Sequence, residues 1–113
     1  MTDSTIFEQI IAKEISADIV YEDDDIMAFH DIMPQAPVHI LVIPKIKIRD
    51  FAGLQGLEDA FVGRMFKKTA DLAARMGLRD YRVVSNCGAG AGQSVFYLHL
   101  HILGGRSFSW PPG

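Results

Sequence analysis

The apolar residues of this chain change period twice, and that constrains the fold more than any other feature. From Leu57 to Met76 they recur at helical spacing: Leu57, Phe61, Met65, Leu72 and Met76, broadened by Ala60, Val62, Phe66 and Ala73. Such a stripe predicts one long amphipathic helix, with Gly77 fitting its C-terminal cap. On either side the pattern is that of strands. Ala17–Tyr21 and Ile26–His30 flank the acidic turn Glu22-Asp23-Asp24-Asp25, and Val38–Ile43 is β-branched up to Pro44. Pro34 and Pro37 bracket a loop before that strand. Tyr81–Ser85 and the alternating run Tyr97–Gly105 follow the helix. Thr5-Ile6-Phe7-Glu8 has capping-box spacing, which predicts a short first helix running to about Glu14. The order helix, three strands, helix, two strands favours an α+β domain with an antiparallel sheet.

Within Tyr97-Leu98-His99-Leu100-His101-Ile102, strand alternation places Tyr97, His99 and His101 on one face. Leu98, Leu100 and Ile102 take the other. Two adjacent imidazoles supply a nucleophile or base beside a donor, each ordinarily titrating near neutral pH. A solvated strand face would also carry such residues. The preceding loop, Asn86-Cys87-Gly88-Ala89-Gly90-Ala91-Gly92-Gln93-Ser94, adds glycines that let backbone amides approach an anion. It lacks the lysine and following helix of a P-loop. Ser94 offers a hydroxyl to a phosphate or a leaving group. His39 reads as a core or edge histidine with a backbone partner. Asp31 reads as a turn cap or as an acceptor for sugar hydroxyls.

A His-X-His pair gives zinc two ligands, and His39 would make a third. No cysteine or carboxylate has ligand spacing with them, so no metal is expected to be required. The formal net charge of −3, with Lys45-Ile46-Lys47-Ile48-Arg49 as the densest basic stretch, argues against nucleic acid and anionic membranes as partners. Cys87 is the single cysteine, so there is no intrachain disulfide. Met1-Thr2-Asp3-Ser4 lacks the features of a secretory leader, and no apolar run reaches membrane-spanning length. The expectation is a single domain over 1–113 in the cytoplasm, hydrophobic enough at 49% to build one core.

Taken together, these motifs resemble the histidine triad (HIT) family, within it the Hint branch of nucleotide-binding proteins and purine nucleoside phosphoramidases. The resemblance runs from Ile6-Phe7 through Phe29-His30-Asp31-Ile32-Met33-Pro34-Gln35-Ala36-Pro37-Val38-His39 and Val42-Ile43-Pro44-Lys45. It continues through Gly92-Gln93-Ser94-Val95-Phe96 and His99–Arg106 to the tail Trp110-Pro111-Pro112-Gly113. It implies a five-stranded antiparallel sheet with two helices, sheets joined across a homodimer, and residues 107–113 as an extended tail. It also implies hydrolysis of a P–N bond through a nucleotidyl-histidine intermediate on His99. His101 would bind phosphate oxygens, Ser94 would pass a proton to the leaving group, and His39 would orient the cluster. Ile6, Phe7, Ile10, Phe29, His30 and Ile32 would hold the purine nucleoside monophosphate, with Asp31 on the ribose. Asn86, Gly92, Gln93, Ser94 and Val95 would line the phosphate side with His99 and His101.

One position departs from the family pattern. The triad begins with histidine, and this chain has Tyr97 there. If the first residue supplies its backbone carbonyl to the Nδ1–H of His99, tyrosine keeps that function. If its imidazole supports the proton network or a zinc, tyrosine removes it, leaving a nucleotide-binding protein with little catalysis. A protein-interaction module using the Trp110 tail and a dinucleoside polyphosphate hydrolase are the remaining alternatives.

Overall fold

The structure is a computed structural model describing residues 4–113; the leader reading at Met1–Asp3 lies outside those residues. A five-stranded antiparallel sheet carries the molecule: β1 (Ile19–Glu22), β2 (Ile26–His30), β3 (Val38–Pro44), β4 (Tyr81–Val84) and β5 (Leu100–Gly104). The spatial order is β1-β2-β3-β5-β4, so the histidine-bearing strands β3 and β5 are neighbours at the centre. Among the described residues two α-helices complete it, α1 (Ile6–Ile11) and α2 (Asp59–Arg75). Short 3-10 turns at Phe51–Gly56 and Ala89–Ala91 were not read from the sequence.

The capping box at Thr5 forms. The Thr5 hydroxyl accepts from the Glu8 amide at 3.3 Å, and the Glu8 carboxylate accepts from the Thr5 amide at 2.7 Å. The helix ends at Ile11 instead of Glu14 because Lys13 enters the left-handed region, at φ 63°. There the Glu14 amide donates back to the Gln9 carbonyl, closing the end. The α2 stripe is realised by Phe61, Met65, Thr69, Leu72 and Ala73, and Gly77 follows its last turn at φ 77°.

The sheet has two covered faces. Against α2 it buries Ile26, Ala28, Ile40, Val42, Leu98, Leu100 and Ile102. Against α1 it buries Met27, Phe29, Leu41, Ile43 and Tyr97 with Phe7 and Ile10. Period-two alternation on β3 and β5 therefore sends Ile40, Val42, Leu100 and Ile102 into the α2 core. The same alternation leaves His39, His99 and His101 on the α1 side. Residues 97–99 precede β5 proper, yet they keep its alternation.

Candidate active site

Leu41 on β3 is the register partner of His101 on β5, and His39 lies two residues along the same face. This brings together imidazoles 62 positions apart: His39 Nε2 and His101 Nδ1 are 2.9 Å apart. The hydrogen bonds around the cluster determine where each proton sits. A backbone amide can only donate, so the Gln35 N–H, 3.0 Å from His39 Nδ1, places the His39 proton on Nε2. His39 Nε2–H then donates to His101 Nδ1, which leaves the His101 proton on Nε2. That atom is buried and has no partner among the described residues. The carbonyl of Tyr97 can only accept, so His99 Nδ1–H donates to it at 2.7 Å. His99 Nε2 is left with its lone pair. The chain thus prepares one nucleophilic nitrogen and one free N–H donor side by side, with ring centroids 4.9 Å apart.

Burial sets the charge of these groups. It pushes the His101 imidazole down to about 4, reinforced by its His99 and His39 neighbours. It also lowers His99 and His39, opposed at His99 by the Tyr97 carbonyl and at His39 by Asp31. The expectation of two histidines titrating near neutral pH is corrected: the cluster is uncharged there, because it sits between α1 and the sheet rather than on a solvated face. Phe7 on α1 closes that side, its ring edge-on to His99 at 5.0 Å.

Both histidines line a cavity of about 270 Å³. Of the residues singled out from the sequence, Ile6, Phe7, Ile10, Phe29, His30, Asp31, Ile32, Ser94, Val95, His99 and His101 line it. Phe7, Ile10 and Phe29 form its buried apolar wall, while Ile6 and Ile32 stand exposed at its mouth, Ile32 at 86%. Asp31 keeps both of its readings. One carboxylate oxygen accepts from the Met33 amide at 2.8 Å, and the other is 3.4 Å from His39 Nε2. His39, Asn86, Gly92 and Gln93 do not line the cavity. His39 stands behind His101. Gln93 braces the glycine loop: its amide oxygen accepts from Gly88 N–H, and its NH₂ donates to the carbonyls of Arg49 and Val95. Ile15, Ser16, Ala17 and Leu41 also line the cavity and were missed. Leu41 was recoverable, since it alternates with His39.

Asp31, His39 and His101 offer three metal-ligand atoms within 4.8 Å of one another, a grouping with a carboxylate that spacing did not reveal. Two imidazoles and a carboxylate are a donor set zinc accepts. The surrounding bonds do not suit it. A metal-bound histidine ordinarily donates its other N–H outward, whereas His39 Nδ1 faces a donor and keeps its proton on Nε2, the atom the metal would need. The cluster is arranged to hold protons.

Tyr97 answers the departure noted above. Its carbonyl fixes His99, and its phenol donates to the carbonyls of Pro44, at 2.5 Å, and Ile46, at 3.2 Å. The ring is buried among Phe7, Phe29 and Ile43.

Comparison with known proteins agrees with this architecture. The model of the HIT domain matches residues 12–108. An uncharacterised HIT-like protein of Synechocystis sp. is 52% identical over 114 residues, covering 100% of both chains. A protein of Arabidopsis thaliana named as an adenylylsulfatase is 47% identical, covering 96% of this chain and 76% of that one. The crystal structure of a HIT family hydrolase from Legionella pneumophila superposes with a TM-score of 0.89 at 41% identity, covering 97% of this chain and all of that one. The fold, the strand-borne histidines and relatives near half identical along their lengths place the chain together: it belongs to the HIT domain family.

Proposed function

We propose that this protein is a nucleotide hydrolase that cleaves the P–N bond of purine nucleoside 5′-phosphoramidates through a nucleotidyl intermediate on His99. The observation that carries the reading is the pair of opposed tautomers at one end of an apolar slot: His99 with Nε2 unprotonated, His101 with Nε2–H free. The slot takes the purine, and the Asp31 carboxylate takes ribose hydroxyls. His99 Nε2 attacks the α-phosphorus, forming a new P–N bond as the bond to the amine breaks. The Ser94 hydroxyl gives the departing nitrogen its proton, help of a kind worth roughly 10²–10⁴-fold. His101 Nε2–H bonds a phosphoryl oxygen as charge builds. Water then attacks phosphorus, releases His99 and restores the proton to Ser94, leaving a nucleoside monophosphate. Covalent catalysis suits the bond because it divides one substitution into two.

The relative named as an adenylylsulfatase supports the same nucleotide class with another leaving group. The hydrogen bond from His99 to the Tyr97 carbonyl favours retained catalysis over the binding-only reading. No metal is required in this scheme. The rest of the reading is one domain over 1–113 with 107–113 as its tail, working as a cytoplasmic homodimer without nucleic-acid or membrane partners. Phe51, Phe66, Tyr81 and Val83 support the dimer, being exposed around a shallow groove between α2 and the edge strand β4. No helix among the described residues is long and apolar enough to cross a membrane.

The test is release of adenosine monophosphate from an adenosine phosphoramidate with chelator present, by wild type and by His99→Ala. Turnover in the first and none in the second is expected. Equal rates, or no turnover by folded wild type, overturn the proposal.

A further inference from the structure

The basic stretch Lys45-Ile46-Lys47-Ile48-Arg49 has no part in the chemistry above, and its cations do not share one fate. Lys45 is taken up by Glu22 at 2.7 Å. Lys47 and Arg49 line a second cavity of about 590 Å³ with Ile6, Ser94, Val95 and Phe96. Ile6, Ser94 and Val95 also line the histidine cavity, so the two spaces meet at the serine. Alternation sets Ile48 apart from Lys47 and Arg49: Ile48 packs toward the α2 core, while Lys47 and Arg49 turn to the cavity.

We propose that Lys47 and Arg49 form a leaving-group subsite that selects substrates whose leaving group is anionic, an amine bearing a carboxylate or a sulfate. The inference rests on the hydrolase reading. In a displacement at phosphorus the leaving group departs opposite the attacking atom. A group ejected by attack from His99, past Ser94, enters the cavity that these cations line. The basic segment is fixed to the catalytic loop. Gln93 NH₂ donates to the Arg49 carbonyl at 2.9 Å, and the Leu98 amide donates to the Ile48 carbonyl at 2.6 Å. Register between Ser94 and the two cations is therefore held by one side-chain bond from Gln93 and one backbone bond from Leu98. The heads remain available, with side chains 51% and 69% exposed. The Arg49 guanidinium lies over the Phe96 ring at 4.4 Å, which fixes its plane and leaves its edge free for a bidentate anion. Among the described residues each cation has one carboxylate neighbour, Glu8 at 3.4 Å from Lys47 and Asp50 at 3.9 Å from Arg49, and neither carboxylate lines the cavity.

The test compares the adenosine phosphoramidates of glycine and of glycinamide, which differ by one charge, with adenylyl sulfate as a third ligand. For wild type, kcat/KM favours glycine over glycinamide by about three- to tenfold, the range expected from two exposed ion pairs. In Lys47→Gln/Arg49→Gln the ratio falls to near one, and in Lys47→Glu/Arg49→Glu it inverts. Salt near 1 M, where screening acts within about 3 Å, also collapses it. Calorimetric titration of His99→Ala with all three ligands reads the same preference without turnover. It therefore separates failure of the subsite from failure of the hydrolase reading. Loss of sulfate affinity alone on neutralising the cations assigns the subsite to sulfate, and loss of glycine affinity alone assigns it to carboxylates. A glycine-to-glycinamide ratio unchanged by neutralisation, together with unchanged affinity for adenylyl sulfate, overturns the proposal.

Discussion

Replacing Tyr97 by phenylalanine separates two jobs that one residue performs. The ring is 1% exposed and is retained, so no cavity forms. What is lost is the phenolic O–H that donates to Pro44 and Ile46. Pro44 is itself buried at the end of β3, so its carbonyl is left without that donor. The loss combines a net hydrogen bond with incomplete satisfaction of a buried acceptor, about 1–3 kcal/mol. The phenol, pushed by burial up to about 12, is a neutral donor at any pH the assay uses. No pH dependence should accompany the change. With a urea slope of about 1–3 kcal/mol per molar, the unfolding midpoint falls by roughly 1 M at constant slope. The bond that orients His99 comes from the Tyr97 backbone, which the substitution leaves in place. Accordingly kcat/KM stays within about threefold, and Tyr97→His, which restores the family residue, brings no gain in rate. An unchanged midpoint would refute the anchoring argument. A kcat lowered more than tenfold in a folded Tyr97→Phe protein would refute the claim that only the carbonyl matters.

Burial of neutral His101 makes stability depend on pH. Its folded value is about 4 against 6.5 unfolded, so the unfolded chain binds the proton more readily between those values. Stability is complete above about pH 6.5 and declines as pH falls toward 4, by about 3 kcal/mol for this group. Denaturant midpoints of wild type and His101→Asn followed from pH 7.5 to 4 should converge, and parallel curves would sink the assignment. Gly92 sits at φ 95° two residues before Ser94, a conformation that costs other L-residues roughly 1–2 kcal/mol. Gly92→Ala is expected to lower the midpoint accordingly and to reduce kcat as the loop relaxes and displaces Ser94. A variant with wild-type stability and kcat would show that the loop conformation is unimportant.

Much of the architecture is legible because local and global signals coincide. The α2 stripe, the alternation of Leu98, Leu100 and Ile102, and the capping box at Thr5 each state in a few residues what the fold then does. The end of α1 is not legible, since a lysine in the left-handed region has no cue comparable to glycine. The histidines show the same boundary at the site. That His99 and His101 share a face follows from period two alone. That His39 reaches His101 depends on β3 and β5 being neighbours, a pairing no local pattern specifies. Their neutral state depends further on Phe7 and α1 closing over them. Asp31 joins the cluster because the β2–β3 pairing carries it beside His39, its amide donating to the His39 carbonyl. Tyr97 illustrates why a motif can lose a member and keep its geometry. The group that orients His99 is a main-chain carbonyl, which every residue type supplies. The side chain at that position is therefore free to be chosen for packing and for the bond to Pro44. On this argument the chemistry of the site constrains His99, His101 and the partner that sets their tautomers, His39, more tightly than it constrains the residue that opens the motif.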